Sequence, residues 1–199
     1  MRIGLVICGI LLVTGAGRAE DEIKLFNGKD LSGWSGNEDL WRVEDGCIVG
    51  STDGHKIPGN TFLIYEKEFN DFELRFKVSL RNHNSGVQFR SKTVDKTRFV
   101  MSGYQADCAS GYWGLLYEER GRGILQKPAK ENIAKEKEWV QFVVRAKGPE
   151  ITISVNGERT VEYVEKDPKR GATRGQIGLQ LHAGPEMTVR FKDIILMPL

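Results

Sequence analysis

Seven polar residues recur at alternate positions within four apolar segments, and their types are those that move protons or hold hydroxyl groups. Gln88 and Arg90 alternate with Val87 and Phe89, and Gln105 and Asp107 with Tyr104, Ala106 and Cys108. Glu118 follows Leu115 and Tyr117, and Gln180 and His182 alternate with Ile177, Leu179 and Leu181. Successive side chains of a strand point to opposite faces. If the apolar sets face a core, the seven polar residues share the other face. Carboxylates and an imidazole there can act as general base and acid near neutral pH. An arginine can hold developing negative charge through its planar fork. Amides offer paired donors and acceptors to sugar hydroxyls. Gly86, Gly103, Gly114 and Gly178 fall on the same face and would keep it open as a groove. Tyr104, Tyr112 and Trp113 are the nearest stacking platforms, and His83 stands at the mouth of the Gly86 strand. The candidate catalytic residues are therefore His182, Asp107, Arg90 and Glu118. The candidate substrate-binding residues are Gln88, Gln105, Gln180, Tyr104, Trp113 and His83.

His83, His182, Asp107 and Glu118 are also metal-ligand types, but they lack the close spacing of a zinc motif. No cofactor is firmly implied, and a divalent cation stays open. His55, within Asp53-Gly54-His55-Lys56, reads as a solvated turn residue.

The elements that must carry these residues are short strands. Thr61 to Tyr65 and Phe69 to Leu80 are aromatic and β-branched, and Phe72, Leu74, Phe76 and Val78 alternate with Glu73, Arg75, Lys77 and Ser79. Glu138 to Ala146 is a further strand. Ile151 to Val155, Asn156-Gly157 and Thr160 to Tyr163 spell a hairpin, because Asn-Gly tolerates positive φ at both corners. Gln176 to Leu181 and Met187 to Leu196 read as a strand pair joined through Gly184-Pro185. Pro128 to Lys137 is the one candidate for a short helix. Many short strands with frequent turns predict an all-β sandwich or barrel.

The 199 residues begin with an export signal: Arg2, an apolar run from Ile3 to Val13, and the small-x-small site Gly17-Arg18-Ala19. Residues 1–19 are thus the signal, and residues 20–199 form a single domain. The export destination is periplasmic or extracellular. The apolar run is too short for a bilayer span and no other is longer, so the mature chain is not expected to span a membrane. The formal charge is +2, from 29 basic and 27 acidic residues. Removing Arg2 and Arg18 leaves 27 against 27, so the mature chain is neutral and offers no electrostatic case for nucleic acid. Cys47 and Cys108 remain after processing. Export permits a disulfide between them, and their apolar surroundings equally suit two buried thiols.

The chain resembles the 3-keto-disaccharide hydrolase family, also described as 3-keto-glucoside 1,2-lyases and 3-keto-2-hydroxy-glucal hydratases. The resemblance is carried by Leu25-Phe26-Asn27-Gly28-Lys29-Asp30-Leu31-Ser32-Gly33-Trp34, Trp41 to Gly46, Asp71 to Leu74, Asn84 to Arg90 and Gly103-Tyr104-Gln105. It continues through Gly178 to Pro185 and Val189 to Ile194, so it spans Ile23 to Leu199. It implies a concanavalin A-like jelly-roll β-sandwich that binds sugars on its concave sheet. The implied partner is a small oxidised sugar or glycoside. A 3-keto sugar has an acidified hydrogen at C2, and the resulting enolate can expel the C1 substituent; hydration can follow. Such chemistry needs a base, for which His182 and Asp107 are candidates. Arg90 would meet the enolate oxygen, and Glu118 would serve as acid for the leaving group. One departure stands out. Relatives commonly carry Gly-Tyr-Glu-x-Gln where this chain has Gly103-Tyr104-Gln105-Ala106-Asp107, so the natural base is replaced by an amide and Asp107 is left to act. The alternative is a non-catalytic, lectin-like carbohydrate-binding module. A laminarinase-type glycosidase is disfavoured, because its paired strand carboxylates have no counterpart beyond the turn Glu165-Lys166-Asp167-Pro168.

Overall fold

The alternation at Phe72 to Leu80 becomes a strand, Phe72–Arg81 (β6), with Phe72, Leu74, Phe76, Val78 and Leu80 all buried. A computed structural model describes residues 22–130 and 132–199. The expected export signal lies outside them. β6 is central to a first antiparallel sheet. On one side follow Val140–Lys147 (β11), Glu150–Val155 (β12) and Glu158–Val164 (β13). On the other side lie Thr188–Pro198 (β15), Cys47–Ser51 (β4) and Trp41–Glu44 (β3), with Ile23–Lys24 (β1) also pairing β15. The second sheet runs Gly123–Gln126 (β10), Leu116–Glu119 (β9), Val100–Ala109 (β8), Asn84–Asp95 (β7), Gly175–Leu181 (β14), Thr61–Phe69 (β5) and Trp34–Ser35 (β2). The two sheets stack as a jelly-roll sandwich, and no helix occurs among the described residues.

The core between the sheets is aromatic at its centre. Phe76 and Phe142 stack with ring centroids 5.0 Å apart, and Trp113 and Phe191 pack beside them. Asn156 and Gly157 take φ of 50° and 84° between β12 and β13, the paired positive values a tight hairpin needs.

Two expectations are corrected. Among the described residues of 128–137 no helix forms; the segment bends and turns, and Ala129 N–H bonds to Thr160 O and Lys137 N–H to Leu80 O, so neighbouring strands hold its two ends. β14 and β15 are not paired; they lie in opposite sheets, and the chain crosses the sandwich between them through Gly184 at φ 136°. Of the two states the sequence left open for the cysteines, the structure shows buried free thiols at both Cys47 and Cys108. Thiol titration of the mature chain without reductant should therefore show no reactive thiol when native and both once unfolded. A disulfide would leave neither.

The outer half of the β7–β8 hairpin folds across the outward face of the second sheet. The ladder breaks between Phe89 and Lys92, and the bend uses Arg90 at φ 46° and Gly103 at φ 140°. The tip then bonds to β5, with Phe62 N–H to Phe99 O and Thr61 Oγ1 to Arg98 O, both 2.9 Å. Beneath it Met101, Phe62 and Ile64 form a second apolar cluster.

Candidate functional site

The second sheet's outward face carries a ladder of amides that ends on a carboxyl group. β7 and β8 set Gln88 opposite Gln105 and Gly86 opposite Asp107. β14 sets Gly178 opposite Gln88. Ser91 Oγ donates to Gln88 Oε1 at 2.6 Å, and Gln88 Nε2 donates to Gln105 Oε1 at 2.9 Å. Gln180 Nε2 donates to the same Gln105 oxygen at 3.0 Å. Gln105 Nε2 in turn donates to Asp107 Oδ1 at 2.5 Å. The glycines on this face do not keep it open. Gln105 fills the space above Gly86, and Met101 that above Gly178. Gln88 and Gln180 are 0 % exposed and Gln105 is 2 % exposed, so these three are closed off from a ligand, contrary to expectation; Gln88 and Gln180 hold Gln105, which holds Asp107.

Asp107 is 8 % exposed. Burial pushes its carboxyl up to about 7, and the charge of Glu119 adds to the rise. Hydrogen bonds from Gln105 and Asn84 oppose it without reversing it. A carboxyl poised there can accept a proton at neutral pH.

Arg90 and Glu118 do not face this site. The bulge after Phe89 turns Arg90 away, to the end of the sandwich. There its Nε donates to Asn70 O at 2.9 Å, Nη1 to Gly148 O at 2.7 Å and Nη2 to Asp71 Oδ1 at 2.6 Å. It ties together two turns and is buried, so it cannot meet an enolate oxygen. For Glu118 the expected facing is reversed, because Leu116 and not Leu115 opens the strand's inward set. β9 begins at Leu116, which pairs with Ala106; Tyr117 pairs with Gln105, Glu118 with Tyr104 and Glu119 with Gly103. Cross-strand partners share a face, so Tyr117 and Glu119 join the outward face and Glu118 the inner one. Glu118 there receives Arg122 Nε at 2.5 Å. The expected aromatic platforms are also displaced. Tyr104 is buried and donates through Oη to Glu165 Oε2 at 2.8 Å, and Trp113 packs against Phe142.

Arg122 bridges Glu118 to Glu165, with Nη2 2.6 Å from Glu165 Oε2, and so joins the β9 edge to the segment after β13. The guanidinium holds the Glu165 carboxyl down, from an ordinary 4.5 to about 2. A depressed acid stabilises the fold above its unfolded pKa, and that stability is lost as pH falls through the folded pKa. Wild type should therefore lose its stability advantage over Glu165→Gln between about pH 5 and about pH 2. Parallel urea midpoints across that range would contradict this.

His83 and His182 meet edge to face at 4.6 Å. His182 Nδ1 lies 2.7 Å, and His83 Nε2 3.1 Å, from the one carbonyl of Ala183. A carbonyl only accepts, so both nitrogens carry protons. His182 Nε2 is then a bare lone pair. Burial lowers the His182 pKa, which favours that neutral form. Among the described residues no three His, Cys, Asp or Glu side chains gather to hold a metal, and Glu118 is drawn away from the set that could have done so.

Glu119 and Asn60 are functional candidates that the sequence reading missed. Burial raises the Glu119 pKa. Asn60 Oδ1 accepts Ala183 N–H at 3.0 Å, which aims its Nδ2 at the Glu119 carboxylate, 3.4 Å away. Both residues line a groove of about 950 Å³ that runs under the folded hairpin. The adjacent leucines Leu115 and Leu116 made either parity plausible, so a signal for Glu119 existed but was undecided.

A protein of Parabacteroides distasonis assigned as a glycosyl hydrolase is similar in structure, with TM-score 0.68 and 21% identity over 89% of this chain and 94% of that one. So is a carbohydrate binding module from Bacillus subtilis, with TM-score 0.65 and 14% identity over 83% and 95%. A β-1,3-1,4-glucanase from a mouse hindgut metagenome shares the fold at TM-score 0.57 and 10% identity, over 83% and 92%. The chain belongs to the 3-keto-alpha-glucoside-1,2-lyase-like domain family, whose model matches residues 21–197. Its function is accordingly carbohydrate-related. No curated protein matches it in sequence.

Proposed function

We propose that the chain is an exported enzyme that cleaves 3-keto-glucosides by elimination across C1 and C2. The observation that carries this is the buried Asp107 carboxyl, pushed up to about 7 by burial and by the charge of Glu119, which itself lines the groove. Asp107 takes the C2 proton, and the electron pair of that bond passes to C3 as an enolate. The ketone re-forms as the C1–oxygen bond breaks, leaving a double bond between C1 and C2. Glu119, whose carboxyl pKa burial raises, is the acid that gives its proton to the departing oxygen. Asn60 Nδ2, loosely held at 3.4 Å, is an N–H donor for the enolate oxygen. Water added across the new double bond would release free 3-keto sugar.

The pH profile separates Asp107 from His182 as base. With Asp107, kcat/KM rises with pH through about 7. With His182, the rise falls below 6.5, because burial lowers its pKa from that value. Aglycone release from a 3-keto-glucoside, with glucal followed by absorbance, tests the reaction. A second reading, binding without cleavage, is favoured by Gln105, whose amide cannot act as a base.

A further inference from the structure

The groove beside Glu119 holds more positive charge than its ion pairs consume. Lys92, Arg98 and Arg120 line it, against Asp95 and Glu119. Arg98 Nε is engaged by Asp95 Oδ2 at 2.7 Å. Lys92 and Arg120 are exposed, and among the described residues neither has an ion-pair partner. They come from separate elements: Lys92 follows the bend in β7, and Arg120 sits in the β9–β10 turn at φ 56°. Arg120 is near enough for its charge to act on Glu119, but burial outweighs it and raises the Glu119 pKa.

Position gives this charge a meaning. Glu119 lines the groove and its charge reaches Asp107, and in the reaction above it faces the departing oxygen. The groove then receives whatever that oxygen carries. Its walls mix apolar Leu40, Ile57 and Val94 with polar Asn37 and Ser102, a lining suited to a sugar ring. We propose that the groove is the leaving-group subsite and selects an anionic leaving sugar, of which a uronate is the simplest. This rests on the role given to Glu119 under Proposed function.

Calorimetry with unoxidised ligands tests it independently of the elimination. Glucosyl-(1→4)-glucuronate should bind the mature chain about fivefold more tightly than cellobiose at low salt, the sum of two exposed ion pairs. The preference should collapse toward unity in molar salt, where such pairs are screened. It should also vanish in Lys92→Ala/Arg120→Ala, as a change in the ratio of the two affinities. Equal affinities at low salt, no binding of either sugar, or a preference that survives the double substitution would overturn the proposal. A uronate preference in a protein that cleaves no 3-keto-glucoside would instead sink the elimination and leave the anion subsite standing.

Discussion

Asp107→Asn is expected to lower kcat/KM on a 3-keto-glucoside by about 10²- to 10⁴-fold, the range a positioned general base supplies. The substitution is nearly isosteric, and its Oδ1 can still accept from Gln105 Nε2, which anchors the carboxyl at 2.5 Å. Folding should not suffer. The native state holds the Asp107 proton up to about 7, whereas 3.8 is its ordinary value, so ionising the buried group costs stability as pH rises between those values. The asparagine variant should therefore be at least as stable as wild type at pH 8. Full turnover by a well-folded Asp107→Asn would remove this residue from the reaction and shift attention to His182 Nε2.

Arg90→Met should do the opposite, destabilising the fold while sparing the chemistry. The guanidinium is 1 % exposed and satisfies three acceptors across two turns. Removing one partner of a buried, hydrogen-bonded pair costs about 3–5 kcal/mol. In a domain of this size that is a fall in Tm of about 10 °C. Turnover per folded molecule should stay at the wild-type level. A variant that melts like wild type but no longer turns over would return Arg90 to the catalytic set.

These two residues also mark what was legible in the sequence. Period-two alternation revealed the strands and the outward face of Gln88, Gln105, Asp107 and Gln180, because regular pairing preserves parity. Asn156-Gly157 revealed its hairpin through turn chemistry alone. Parity failed where the ladder was irregular. Arg90 sits in a bulge at φ 46° with no glycine or proline to announce it, and one extra residue reverses every facing beyond it. Glu118 and Glu119 follow two adjacent leucines, and only the pairing of Leu116 with Ala106 decides which acid faces outward. The glycines were correctly placed on the outward face at Gly86 and Gly178, but Gln105 and Met101 occupy the space they free, which is a packing fact that no single sequence states. β14 and β15 looked like a hairpin because their connection is short, yet at the edge of a sandwich a short connection can equally cross between sheets.

Elimination from an oxidised sugar by a carboxyl base can be tested in a single assay. Purified mature protein is incubated with a 3-keto-glucoside and with its unoxidised parent, and aglycone release and glucal absorbance are followed together across pH. Cleavage of the keto compound alone is expected, with kcat/KM rising through about pH 7 as Asp107 ionises. Cleavage of the parent at a comparable rate, or binding of the keto compound without any cleavage, would contradict it, and the second result would favour a carbohydrate-binding protein that lost its base at Gln105.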